Sequence, residues 1–218
     1  YFNDVKNKGN LLFDSTIENA LVQINEDGCL CFFDDGAYSG KQVISIFQEL
    51  MGVPKEKRTT NEHHVDELPD EYKQKLKQAK IILCYLCFNS DSTNYIKSEL
   101  QKIGLTNVDI LFVNDLSSKV FVDSTSIFKN AYQSELVKTH LNMIGLSVLT
   151  STKTLSDGTY KQRWDKARIE ASALGYNDAQ QMVVFASNVP TYTITAVWAN
   201  GQFEGNNWVG LFQRTEKD

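Results

Sequence analysis

From residue 15 to residue 113 the chain alternates short apolar runs with stretches whose apolar residues recur at helical spacing. Ile17, Ala20, Leu21 and Ile24 predict a short helix over 15–24. Residues 29–33 form an apolar run of strand length. Val43, Ile46, Phe47 and Leu50 fall at i, i+3, i+4 and i+7, one face of a helix over 39–51 that Gly52 and Pro54 close. The polar stretch 53–67 reads as a solvated linker or loop. Pro69, Asp70 and Glu71 open a helix towards residue 80. The near-continuous apolar run 81–88 suits an interior parallel strand. Asp91 or Ser92 caps the next helix, Gly104 ends it, and 108–113 is a third strand. This recurrence predicts an α/β fold with a doubly wound, mainly parallel sheet. Strand 29–33 is expected near the centre of that sheet, with its residues buried.

The pattern changes after residue 120. Helices are predicted over 125–144 and 161–174, and 146–154 reads as a strand or a loop. Strands are predicted at 182–187 and 192–198 around a turn at 188–191. The alternating polarity of 191–197 suits an edge or antiparallel strand, so the C-terminal part is expected as an antiparallel or edge extension. The expected organisation is a single domain over 1–218, with 120–218 packed on its core. Lys161, Arg163, Lys166 and Arg168 lie on one predicted helix, whose default reading is a solvated surface. Trp198 and Trp208 are expected in packing.

The densest chemistry follows the first strand. Asp34 and Asp35 stand at its carboxyl end, followed by Gly36, Ala37, Tyr38, Ser39 and Gly40, then Lys41 and Gln42 at the start of a helix. Backbone N–H groups of such a turn, with the helix N-terminus, cradle a phosphate. Paired carboxylates beside it accept hydrogen bonds from sugar hydroxyls. Together they suit a sugar phosphate. Ser39 and Gln42 also have capping-box spacing, a purely structural use of both side chains. Asn114 and Asp115 end the third strand and, by the switch-point rule, face the same edge.

This segment resembles the phosphoribosyl pyrophosphate (PRPP) motif of the type I phosphoribosyltransferase superfamily: apolar strand, two acids, small residues, then Thr-Gly-x-Thr opening a helix. Ser39 replaces the first Thr, Lys41 takes an often small position, and Gln42 departs from the second Thr. The loop, written Asp-Asp-x-x-x-Ser-Gly-x-Gln, is most similar to a phosphoribosyltransferase-like branch of bacterial conflict and antiphage defence systems. So are residues 184–191, the following strand to Trp198, and the tail 211–214. The resemblance implies that Asp34 and Asp35 hold ribose hydroxyls while 36–42 hold the 5′-phosphate of PRPP or a nucleotide. It implies Mg²⁺ carried mainly by the substrate, displacement of pyrophosphate at the anomeric carbon if the domain is active, and a protein partner in defence. A catalytically silent nucleotide-sensing or interaction module is the alternative. A receiver-like phosphorylation domain fits the glycine-containing turn less well. In the resembled fold early strands and a pyrophosphate loop precede the motif, so the chain, beginning at Tyr1, is expected to lack that part and to turn over no substrate in isolation.

At 218 residues with 42% hydrophobic and 22% charged positions, the chain has the composition of an ordinary globular protein. A net charge of −5 argues against a broad nucleic-acid surface. No apolar run approaches the roughly 20 residues of a membrane-spanning helix, and no signal peptide is evident, so a cytoplasmic location is expected. Cys29 and Cys31 share a strand face, whereas the spacing of Cys84 and Cys87 opposes them. Buried reduced thiols are expected, in preference to a zinc site built from Cys84, Cys87, His63 and His64.

Overall fold

The computed structural model describes residues 16–24, 28–60, 65–121, 130–161, 164–185 and 189–212. The chain divides into two compact units, Tyr1–Asp115 and Leu116–Asp218.

The first unit contains α1 (Ile17–Gln23), β1 (Cys29–Ala37), α2 (Lys41–Leu50), α3 (Asp70–Gln78), β2 (Lys80–Phe88), α4 (Thr93–Lys102) and β3 (Val108–Asp115). The strands form a parallel sheet in the order β1-β2-β3. Leu30 pairs with Ile81 and Asp34 with Tyr85; Ile81 pairs with Val108 and Tyr85 with Phe112. Three parallel strands laid down in sequence order put their helices on one face when their crossovers share one hand. The core shows this. Leu30, Ile81, Leu83, Tyr85 and Val108 meet Leu21, Ile44, Phe47, Leu50, Leu76, Ile96 and Leu100. The alternate strand positions Phe33, Leu86, Leu111 and Val113 are exposed.

This arrangement corrects the expected place of the first strand. Among the described residues β2 is central and β1 is an edge strand. Only Leu30 of residues 29–33 is buried, and Phe33 is 71% exposed. An apolar run reports strand character, but two-sided burial requires neighbours and covering layers that the run does not specify. The thiols follow the same geometry. All four are free, Cys87 is buried, and Cys29 is exposed. Cys29 and Cys31 do share a face, with sulfurs 3.9 Å apart. Burial and the neighbouring Cys29 thiol push Cys31 up to about 11.

The stretch 53–67 is not a free linker where it is described; 61–64 lie outside the described residues. Ser45, Gln48 and Glu49 on α2 are buried and hold it by its backbone. Ser45 Oγ donates to Thr60 O at 2.7 Å, and Gln48 Oε1 accepts from Thr59 N at 2.7 Å. Glu49 Oε2 accepts from Val65 N at 2.8 Å, and Oε1 lies 3.2 Å from Arg58 Nη1.

The second unit is built on α5 (Ala131–Lys153), with α6 (Lys166–Glu170), α7 (Thr195–Trp198), β4 (Gly201–Phe203) and β5 (Asn206–Trp208). β4 and β5 form the antiparallel C-terminal element, closed by a turn with positive φ at Glu204 and Gly205. Residues 146–153 of the predicted strand or loop at 146–154 are instead the last part of α5, and the basic helix expected over 161–174 is described only as the five residues Lys166–Glu170, with 162–163 outside the described residues. Arg168 and Lys153 lie over the Trp164 ring, at 5.2 and 5.3 Å from its centroid. The expected strand at 192–198 is not formed: 195–198 are a helical turn, and 182–185 form no strand; 186–188 lie outside the described residues. Gln181 and Thr193 keep only an isolated parallel bridge. Both tryptophans pack as expected. Trp198 Nε1 donates to Thr193 O and Trp208 Nε1 to Ala196 O, while Phe203 and Trp208 meet edge to face.

Candidate functional site

The carboxyl edge of the parallel sheet gathers the ends of all three strands. β1 runs on to Ala37, four residues beyond the predicted end, so Asp34, Asp35 and Gly36 are strand residues. Asp34 Oδ1 accepts from the Asp35 amide at 2.8 Å. Surrounding protein raises the pKa of Asp34, the Asp35 amide opposes this, and the Asp35 charge adds to the rise. Opposite it in register stands Tyr85, a buried phenol whose pKa is raised by burial and then by the Asp34 charge.

Tyr38 and Ser39 form the bend that follows. Ser39 Oγ lies 3.5 Å from the Lys41 amide, closing a short side-chain turn. The expected capping box is absent. Gly40, not Ser39, occupies the N-cap of α2, with φ +68°, and no side chain caps the helix there. With Gly40 at the N-cap, Ser39 falls one residue before it and Gln42 at the second helical position, so the pair no longer holds the N-cap and third helical positions that a capping box requires. Lys41 and Gln42 are exposed at the first turn. Gly40 is buried, and a Cβ there would overlap Cγ1 and Cδ1 of Ile96 on α4.

The turn after β2, where the sequence suggested only a helix cap at Asp91 or Ser92, locks this edge together, and no side chain caps the helix there. Asn89 N donates to Ala37 O at 3.0 Å, and Ser92 Oγ donates to Tyr38 O at 2.7 Å. Asn89 Oδ1 accepts from Asp91 N at 3.1 Å. Asp115 was expected at the ligand edge. Its carboxylate accepts from Ser90 N at 3.1 Å and from Ser90 Oγ at 2.7 Å, so it fastens β3 to the β2 turn. Asn114 Nδ2 donates to Leu86 O at 3.2 Å. The only available signal was the polar run Asn89-Ser-Asp-Ser92 at a strand end.

The second unit carries an open groove of about 570 Å³ lined by Met143, Leu146, Ser147, Thr150, Ser151, Phe203 and Glu204. Its only charged side chain is an acid, and Ser147 and Ser151 already bond Gln202 O and Gln202 N. It therefore offers no cation to a phosphate. Among the described residues no three or more His, Cys, Asp or Glu side chains converge as a metal-ligand group; His63 and His64 lie outside them.

The parallel α/β sheet, with paired acids near the end of its first strand and a glycine turn opening the next helix, agrees with the phosphoribosyltransferase-like domain that the family profile supports. The sequence profile of the PRTase-CE family matches residues 1–214, and the chain belongs to that family. No curated protein and no solved structure matches it. No described helix is long and apolar enough to cross a membrane.

Proposed function

We propose that the carboxyl edge of β1 binds the ribose 5-phosphate part of PRPP or of a nucleotide. The observation that carries this is the positive-φ Gly40, which turns the chain sharply from a strand bearing Asp34 and Asp35 into the N-terminus of α2. The turn amides and the first turn of α2 suit an anion. Lys41, exposed at that turn, supplies a positive charge, and Ser39 a hydroxyl. Asp34 and Asp35 suit the neighbouring hydroxyls as acceptors. The acid-rich edge also fits Mg²⁺ that arrives with a pyrophosphate group and keeps its water, since hard oxygen donors are present and no group of three or more ligand side chains converges among the described residues. Such an ion would neutralise charge on the leaving pyrophosphate, while Asp34 and Asp35 would position the sugar.

Transfer of a phosphoribosyl group is the enzymatic form of this reading. A second reading is a silent nucleotide-sensing module that reports to a protein partner in a bacterial defence system. It is favoured by Gln42, which stands where the resembled motif has a second hydroxyl. Titration of the whole chain with ribose 5-phosphate and PRPP, with and without Mg²⁺, tests the site. Binding of ribose 5-phosphate without Mg²⁺, lost on Asp34→Asn/Asp35→Asn, supports it. Absent binding, or equal binding by the double variant, sinks it. Pyrophosphate release from PRPP separates the enzyme from the sensor.

A further inference from the structure

Ser92 stands at the N-cap of α4, where a serine ordinarily turns its hydroxyl back onto the first amides of its own helix. Here it makes no such bond. Its hydroxyl instead donates across 54 residues to the carbonyl of Tyr38, at 2.7 Å. The consequence follows from the geometry of the peptide unit. The group joining Tyr38 to Ser39 is planar and trans, so its C=O and N–H point in opposite directions. Holding the carbonyl of Tyr38 towards Ser92 turns the N–H of Ser39 to the far side, away from the β2 turn. The Asn89 amide acts alike one peptide earlier, since its 3.0 Å bond to Ala37 O fixes the unit that carries the Tyr38 N–H. Ile96, one helical turn beyond Ser92, fills the space beside Gly40 that a side chain would take. Three groups of the 89–96 segment thus fix the backbone of residues 37–40 from one side.

We infer that Ser92 is a positioning residue of the anion loop, which aims the Ser39 amide at the bound phosphate without touching the ligand. The role rests on the proposal that 36–40 hold a phosphate. It assigns a specific duty to the second strand's turn: the shape of the loop is stored there, and in Asp115, which anchors that turn through Ser90. Losing the hydroxyl removes the hold on the Tyr38 carbonyl and loosens the Tyr38–Ser39 peptide, and the anion then meets an amide that must be ordered on binding.

The test compares wild type, Ser92→Ala and Ser92→Thr in the full chain by two measurements. The first is the backbone order parameter of the Ser39 amide in the ligand-free protein, by ¹⁵N relaxation. The expected result is about 0.85 in wild type and Ser92→Thr, and below about 0.6 in Ser92→Ala. The second is calorimetric affinity for ribose 5-phosphate, expected to weaken roughly tenfold in Ser92→Ala, the worth of one hydrogen bond, and to return in Ser92→Thr. An equally rigid Ser39 amide in Ser92→Ala overturns the inference, as does unchanged affinity or failure of Ser92→Thr to restore it. If wild type binds no ribose 5-phosphate, the phosphate reading falls and the positioning role falls with it. The order parameter still reports whether Ser92 holds the peptide.

Discussion

Ile96 occupies the space that a side chain on Gly40 would require. Its Cγ1 and Cδ1 overlap a Cβ built there, and Ile96 is fully buried. Gly40 also has φ +68°. Both facts forbid a side chain for reasons of packing and backbone, so Gly40→Asp would disturb the fold as well as add charge to the loop. Gly40→Ala is expected to destabilise the protein by about 2–4 kcal/mol, combining left-handed strain with overpacking. Urea unfolding checks this, and a loss below about 1 kcal/mol would contradict the fit between Gly40 and Ile96.

The carboxylates of Asp34 and Asp35 are expected to matter for ligand more than for fold. Replacing both by Asn should weaken ribose 5-phosphate binding by roughly 2–4 kcal/mol, through loss of two charge-assisted hydrogen bonds. Calorimetry on the same preparations would show the loss, with the midpoint of thermal unfolding retained. A variant that binds as wild type does would mark the pair as structural.

A pH signature follows from Asp34. Its carboxyl pKa is raised in the folded protein, first by surrounding protein and then by Asp35. The folded state therefore holds its proton to higher pH than the unfolded chain does. Its contribution to stability is present below the ordinary carboxylate range and is lost as pH rises through the raised value. The stability of wild type minus that of Asp34→Asn should therefore fall as pH rises from about 3 towards neutrality. A difference that rises over that range would reverse the sign assigned here.

Glu49 and Arg58 form a clamp within the first unit. The Glu49 side chain is 1% exposed and its Oε1 lies 3.2 Å from Arg58 Nη1. Arg58→Ala leaves a buried carboxylate without its cation and should cost roughly 2–4 kcal/mol, less than a fully buried pair because the arginine is partly solvated. In a Glu49→Gln background the same substitution should cost markedly less. Denaturant melts of the four-member cycle measure the coupling, and additivity would show that the two groups do not interact.

In the second unit Gln181 plays an analogous part. Its buried Nε2 lies 3.0–3.1 Å from the carbonyls of Leu116, Ser118 and Ala179. Gln181→Leu keeps the bulk but strands those acceptors, at an expected cost of about 1–3 kcal/mol. Unchanged melting of this variant would show that solvent satisfies the carbonyls instead.

The local pattern of the chain determined what depends on a residue's near neighbours. Periodic apolar positions placed α1 to α4 and β1 to β3, because each element buries one face or runs apolar at its own period. The Asp34-Asp35 pair and the Gly40 turn were legible because special backbone conformations select glycine. Tertiary structure decided everything that depends on which element lies beside which. The run at 29–33 looks as buried as the run at 81–88, yet among the described residues only β2 has a strand on each side. Capping depends on where a helix starts within one residue, and Gly40 took the position that Ser39 was expected to hold. The strand-like alternation of 192–198 gave way to a helical turn whose Thr195, Ala196 and Val197 are buried on several sides at once, which alternation does not encode. The bond from Ser92 to Tyr38 spans 54 residues. No spacing in the chain announces it, since it exists only because parallel pairing brings the carboxyl ends of β1 and β2 to the same edge.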